Sequence, residues 1–423
     1  MRAATPFFPV TIRACGLAMA FIASCIPPAA GQGTVTFGEL TSLSSDSEGM
    51  LSNRFQKHSW FTSDGRFHVA IRAQEAKPSL QLLRARDESL VSFDRQYDFQ
   101  DSGTSSTSDG VLINGHLFLV YDTASDAIAF VDLEYSPEAG SWELRRSSII
   151  YRDEKKVFTP VRPTIGVEPG GRMWAGCVLE SGGSFSLKSG FAVFFSDDGG
   201  ASWLPSDAGL PPPIATQERS LRLIAGEGAV YALYSDRRAF GVSVRPNDGD
   251  GTSGWNHRGL FFNPRKVDPE MVDRHGAHFS ATVDASGDLH FASNAGDYRG
   301  VYLRYNWRGD IWSPVRAFDS VGARMRAGYM QIATDGIGRL LLVFSARKNQ
   351  TSCAVAFESL DNGDTWTESG LLTMQWRAKT GNARLEMPEL LSAAHPILQQ
   401  VTSANDRNQG AVRYIVRGAG DAE

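Results

Sequence analysis

Arg162, Arg219, His278 and Tyr329 share one phase in the chain. Each stands nine residues before a glycine, in the segments RPTIGVEPGG, RSLRLIAGEG, HFSATVDASG and YMQIATDGIG. His58 stands seven residues before Gly65, Arg326 three before Tyr329, and Arg384 just ahead of another apolar stretch. Guanidinium groups grip carboxylate, phosphate or sulfate through paired N–H donors. Histidine and tyrosine beside them can act as acid or base. If the aligned set meets at one mouth, it predicts a catalytic site for an anionic ligand, with His58, Arg326 and Arg384 as further substrate contacts. Taken singly, each residue reads as well as a solvated or paired side chain; the shared phase is what points to a site.

That phase belongs to an internal repeat. Glycine turns followed by apolar strands recur at Gly65, Gly115, Gly171, Gly228, Gly287 and Gly338, with spacings of 50, 56, 57, 59 and 51 residues. An aromatic follows each one: Phe93, Trp142, Trp203, Trp255, Trp312 and Trp366. Each unit reads as about four short antiparallel strands. Such units cannot bury both faces alone, so they stack radially as a β-propeller. Starts of the innermost strands would then converge near the axis.

The expected fold is therefore all-β, with four-stranded antiparallel blades. Seven blades are expected and six are the fallback. After Trp366 the stretches Pro388 to Ala393, Ile397 to Thr402 and Ala411 to Val416 supply three strands. Thr34 to Leu40 would supply a fourth and close the ring, which removes the open sheet edges.

Two hairpin turns carry a motif. Ser359-Leu360-Asp361-Asn362-Gly363-Asp364-Thr365-Trp366 fits Ser-x-Asp-x-Gly-x-Thr-Trp, and Ser196, Asp198, Gly200 and Trp203 repeat it with Ser202 in place of Thr. Ser136 to Trp142 is a decayed copy. The Asp can accept hydrogen bonds from turn amides and the nearby hydroxyl, and the Gly can take a positive φ. The Trp is expected to pack sideways into the next blade. These residues are structural in this reading.

The motif is the Asp-box, or BNR repeat, and the chain resembles the sialidase superfamily of β-propellers across residues 32–423. The resemblance implies a carbohydrate-active protein that binds an anionic glycan at its central mouth. A family sialidase holds the substrate carboxylate with three arginines, attacks with a Tyr aided by a Glu, and uses an Asp as acid/base. Arg162, Arg219 and Tyr329 could take parts of that scheme. The family's Phe/Tyr-Arg-Ile-Pro motif is absent, and Arg162-Pro163-Thr164 is a partial echo in the third unit. Related propellers include lyases of uronate polymers. Arg with His and Tyr suits β-elimination without any carboxylate. A non-catalytic glycan-binding or scaffold propeller is the third reading.

Residues 1–31 read as a secretory signal. Arg2 and Arg13 are its only charges, and an apolar run from Ala14 to Ile26 precedes Pro27-Pro28-Ala29-Ala30-Gly31. Ile22-Ala23-Ser24-Cys25 also looks like a lipobox, which would anchor the chain to a membrane through Cys25. The expected place is periplasmic, extracellular or lipid-anchored at the envelope. Residues 32–423 form a single expected domain.

Composition narrows the classes further. The 423 residues carry 42 Lys plus Arg against 47 Asp plus Glu, a formal charge of −5. That balance argues against a duplex nucleic-acid partner, which calls for a basic face. Four cysteines are too few for a disulfide scaffold. Cys177 and Cys353 fall in distant units and are expected as separate buried thiols. No cofactor or metal is expected: P-loop, dinucleotide and HExxH patterns are absent, and Asp248-Gly249-Asp250-Gly251 lacks the rest of a calcium loop.

Overall fold

The computed structural model describes residues 35–45, 55–73, 79–87, 90, 92–103, 106–181, 189–206, 210, 220–235, 240–247, 254–262, 279–295, 299–318, 324–348, 351–373, 378–379, 385–392, 394–403 and 409–417. Among the described residues all regular elements are strands, and they form seven sheets. Six are blades of consecutive strands. Blade 1 runs Ser59–Phe61, Phe67–Ala73, Ser79–Ala85 and Phe93–Asp98. Blade 2 starts at Ser108–Ile113, blade 3 at Thr159–Val167, blade 4 at Ser220–Ala225, blade 5 at Phe279–Val283 and blade 6 at Arg324–Thr334. Each continues outward through antiparallel hairpins. The seventh sheet uses both chain ends: Val35–Ser45 pairs with Gln409–Arg417, which pairs with Ala394–Ser403. Leu385–Glu386 and Ala378–Lys379 complete it.

The propeller and the N-terminal closing strand match the expectation, and the six blades of consecutive strands fit the fallback count and not the seven expected. One strand does not. Residues 389–391 leave the seventh sheet and brace blade 6 instead: Thr334 N donates to Glu389 O at 2.9 Å and Leu391 N to Thr334 O at 2.9 Å. Pro388, just ahead, has no N–H to give a ladder.

The marker glycines explain the register. All six have positive φ, from 76° at Gly65 to 132° at Gly338. Only glycine takes such angles without steric cost, so each turn sits where the sequence put its glycine. Apolar strands then face their neighbours. One buried cluster fills each junction between adjacent sheets. Leu398 of the seventh sheet packs with Phe67 and Val69 of blade 1, and Ile397 with Leu341 and Val343 of blade 6. The ring is closed on both sides of that sheet.

The two Ser-Asp-Gly-Trp turns hold themselves as expected. Asp198 accepts from Ser196 Oγ at 2.8 Å, Ala201 N at 3.0 Å, Ser202 N at 2.9 Å and Ser202 Oγ at 2.6 Å. Those donors hold its carboxyl well below the usual range. Asp361 accepts from Ser359 Oγ at 2.8 Å and Thr365 N at 2.7 Å. The direction of Trp packing is a correction: the ring lies on the preceding blade. Trp203 meets Phe130 of blade 2 edge-on at 5.3 Å, and Trp366 meets Tyr302 of blade 5 at 4.9 Å. Trp142 reaches back to blade 1, donating to His68 Nδ1 at 3.1 Å.

Gly200 and Gly363 are needed for this contact as well as for the turn. A Cβ on Gly200 would overlap the Phe130 ring, and one on Gly363 the Tyr302 ring. Gly363→Ala is expected to cost about 3 kcal/mol, from overpacking plus the positive φ. Chemical denaturation checks it. Adding Tyr302→Ala to Gly363→Ala removes the overlap, so the double variant loses less than the sum of the singles. Strict additivity would show that the contact is unimportant.

Candidate functional site

Of the aligned residues, Arg162 and Tyr329 are described, and each lies at an irregularity within its inner strand, Thr159–Val167 and Arg324–Thr334. Blade 3 places Arg162 there by a bulge. Val161 pairs with Val178 and Thr164 with Gly176, which leaves one extra residue on the inner strand. Arg162 takes φ 54°, a left-handed conformation rarely adopted by a long side chain. Its Nη1 lies 3.2 Å from Glu180 Oε1, and the side chain remains 24% exposed. Blade 6 is interrupted at the equivalent place, between Met325 and Met330. Arg326 and Tyr329 lie in that interruption, and Tyr329 is buried. Bulges at strand ends re-aim side chains, and two occur where the sequence placed an arginine.

The other expected residues divide. His58 is buried, and its Nδ1 lies 2.8 Å from Glu386 Oε2. Its place is the junction between blade 1 and the seventh sheet rather than an open mouth. Arg219, His278 and Arg384 lie outside the described residues, as do residues 1–31 with Cys25. Cys177 is a buried free thiol, and burial pushes its pKa up. The Cys353 side chain lies outside the described ones.

Deeper along the axis lies a polar core that the sequence reading missed. Asp109, Thr164, Ser280 and Glu386 each accept an amide of the next sheet: Ile165 N at 3.0 Å, Leu223 N at 2.9 Å, Ile332 N at 3.2 Å and His58 N at 3.0 Å. Charges are threaded through this ring. Arg222 pairs with Asp109 and lies 3.6 Å from Glu389. Lys57 Nζ donates to Gln331 Oε1 at 2.8 Å and to Ile332 O at 3.2 Å. Burial pulls the Lys57 pKa down, against the pull of Glu389 and Glu386. Lys57, Asp109, Arg222, Gln331 and Glu386 are all at most 1% exposed.

A signal for this core was present. Asp109 and Arg222 stand six residues before their marker glycines, and Thr164, Ser280 and Gln331 seven before theirs. A polar residue at that depth in an apolar strand marks the axis.

Beyond the polar core, at the far ends of the inner strands, a cavity of about 410 Å³ opens. Trp60, Leu112, Ile165, Ile224 and Leu391 contribute to an apolar lining, with Arg222 and Glu389 among the polar members. The axis therefore has two ends of different character. Arginine-bearing bulges stand at the strand starts and an apolar chamber at the strand ends. Among the described residues, no group of three or more His, Cys, Asp or Glu could hold a metal ion.

No protein-family model matches the chain, and no curated protein matches it. Solved structures do. An ulvan lyase, described as a new family of polysaccharide lyase, has a TM-score of 0.53 at 11% identity, covering 90% of this chain and 96% of its own. The same enzyme bound to a saccharide of GlcA and sulfated Rha aligns equally. A protein of unknown function from Dyadobacter fermentans DSM 18053 has a TM-score of 0.47 at 13% identity, covering 90% of this chain and 99% of that one. The Hadza microbial sialidase has a TM-score of 0.45 at 14% identity, covering 81% and 73%. What this chain shares with the ulvan lyase is its fold, a β-propeller over nearly its whole length.

Proposed function

We propose that the protein is an exported, carbohydrate-active propeller that binds an anionic glycan across the mouth at the inner-strand starts and cleaves it. The observation that carries this is the Arg162 bulge. A non-glycine residue is held at positive φ at the start of an innermost strand, with its guanidinium partly open to solvent. Strain kept at such a place marks a built site rather than a loose surface side chain. Glu180 orients the guanidinium, and the exposed part of the side chain faces solvent where a carboxylate or sulfate could approach.

Hydrolysis in the manner of a sialidase is the first reading, with Arg162 and Arg219 as carboxylate holders, Tyr329 as nucleophile and His278 as acid or base. Elimination from a uronate polymer is the second. The fold shared with a lyase whose complex contains GlcA supports it. There the guanidinium stabilises charge on the uronate, one of His278 and Tyr329 takes the C5 proton, and the other donates to the leaving oxygen. Export follows from the signal-like residues 1–31, with a lipid anchor at Cys25 as its variant form.

Product mass after incubation of residues 32–423 with sialosides and uronate polysaccharides decides among these. One added water means hydrolysis, and cleavage without water means elimination. Arg162→Ala is expected to lower kcat/KM by roughly ten- to a hundredfold, the worth of a charged hydrogen bond. Intact glycans together with no glycan binding by calorimetry would sink the proposal.

A further inference from the structure

The structure assigns the chamber at the far ends of the inner strands to an uncharged, mainly apolar small molecule with an oxygen acceptor at one end. Two buried polar groups of the lining carry this. The Nε of Arg222 and the Oγ1 of Thr282 have no hydrogen-bond partner among the described residues. Each side chain is 1% exposed, and both residues line the cavity. Buried donors are rarely left unmet, and each unmet one invites an acceptor. Each atom has under 1 Å² of accessible surface, so a carbonyl, ester or alcohol oxygen would meet them once a side-chain rotation turned them to the chamber.

The walls set the rest of the ligand. Trp60, Val111, Leu112, Ile165, Ile224 and Val283 give the chamber an apolar surface. At the rim Leu390 is 67% exposed, an apolar group that extends the walls outward. A volume of about 410 Å³ suits one small molecule.

Charge balance selects against an anion. Arg222 already faces Asp109 and Glu389, and Lys57 lies among Glu389, Glu386 and Asp109. Among the described residues no unbalanced cation remains for a carboxylate, and Glu389 would repel one. This assignment is independent of the glycan mouth, which lies at the opposite end of the same strands.

The test uses the neutral naphthyl ketone prodan as probe, with the anionic dye ANS as the charge control. Residues 32–423 are expected to bind one prodan per chain, with a blue-shifted emission and energy transfer from Trp60 that Trp60→Phe reduces. Ala225→Phe, which fills the chamber, abolishes binding. Thr282→Val, which keeps shape and removes the hydroxyl, weakens it about fivefold. Circular dichroism melts establish that both variants fold, and Thr282→Val stands as the test if Ala225→Phe does not. Absence of saturable prodan binding overturns the assignment. So does prodan binding unchanged in both variants, or ANS binding as tightly as prodan.

Discussion

Asp109→Ala is expected to destabilise the protein by about 3 to 5 kcal/mol, the cost of leaving a buried charge without its partner. Four donors lose their acceptor together. Lys57 N and Thr164 Oγ1 donate to this carboxylate at 2.8 and 2.9 Å, Ile165 N at 3.0 Å, and Arg222 pairs with it. Arg222 would then be a buried cation with Glu389 alone at 3.6 Å. Asp109→Asn keeps an acceptor oxygen and loses the charge, so it should cost less than Ala. Replacing Asp109 and Arg222 together by leucines should recover part of the loss, because the desolvated pair is removed as a unit. Thermal midpoints at a fixed scan rate check this ordering. A double variant no more stable than Asp109→Ala would show that the ring amides, not the ion pair, dominate.

Acid should destabilise the fold through two buried neutral histidines. Burial pulls the pKa of His68 down to about 3, with Arg84 adding and Asp64 opposing. It does the same for His395, also to about 3, with Arg339 and Lys57 adding. In the unfolded chain both titrate near 6.5. The unfolded state therefore binds more protons between pH 6.5 and 3, and stability is lost as pH falls through that window. By pH 4.5 each histidine costs about 2 kcal/mol relative to pH 7. Asp122 opposes them. Burial raises its pKa from 3.8 to about 6, so its folded form gains stability as pH falls through 6. His395→Leu isolates one contribution. His395 Nε2 has no partner among the described residues, so the change should be mild at pH 7. Its advantage over the unmodified protein should grow by about 2 kcal/mol by pH 4.5. Urea unfolding at both pH values reads the difference, and parallel stabilities would refute the account.

How much of this was legible follows from the range of each interaction. The turns were readable because their chemistry is local. A glycine that needs positive φ and an Asp that accepts hydrogen bonds from the following residues leave their marks within about eight positions. Trp203 and Trp366 were found for that reason, but not the side on which they pack, which Phe130 and Tyr302 settle from some 60 to 70 residues earlier in the chain. His58 was read as a mouth residue because its partner Glu386 is 328 positions away. Asp109 and Arg222 were passed over for the same cause. Each looks like one stray charge in an apolar strand until the ring brings them together. Arg162 was picked by phase alone, and the bulge that sets its direction depends on a register that periodicity cannot fix.

The buried charges on the axis have a consequence for how a polymer could be handled. Lys57 and Gln331 bridge blades 1 and 6, while Asp109 and Arg222 join blades 2 and 4, so the middle of the ring is plugged by side chains. A saccharide chain cannot be threaded through it. Among the described residues, the axis is closed by side chains between the strand starts and the apolar chamber, so the ring is not a conduit. A long glycan bound as proposed would lie across the strand starts and not pass through the ring.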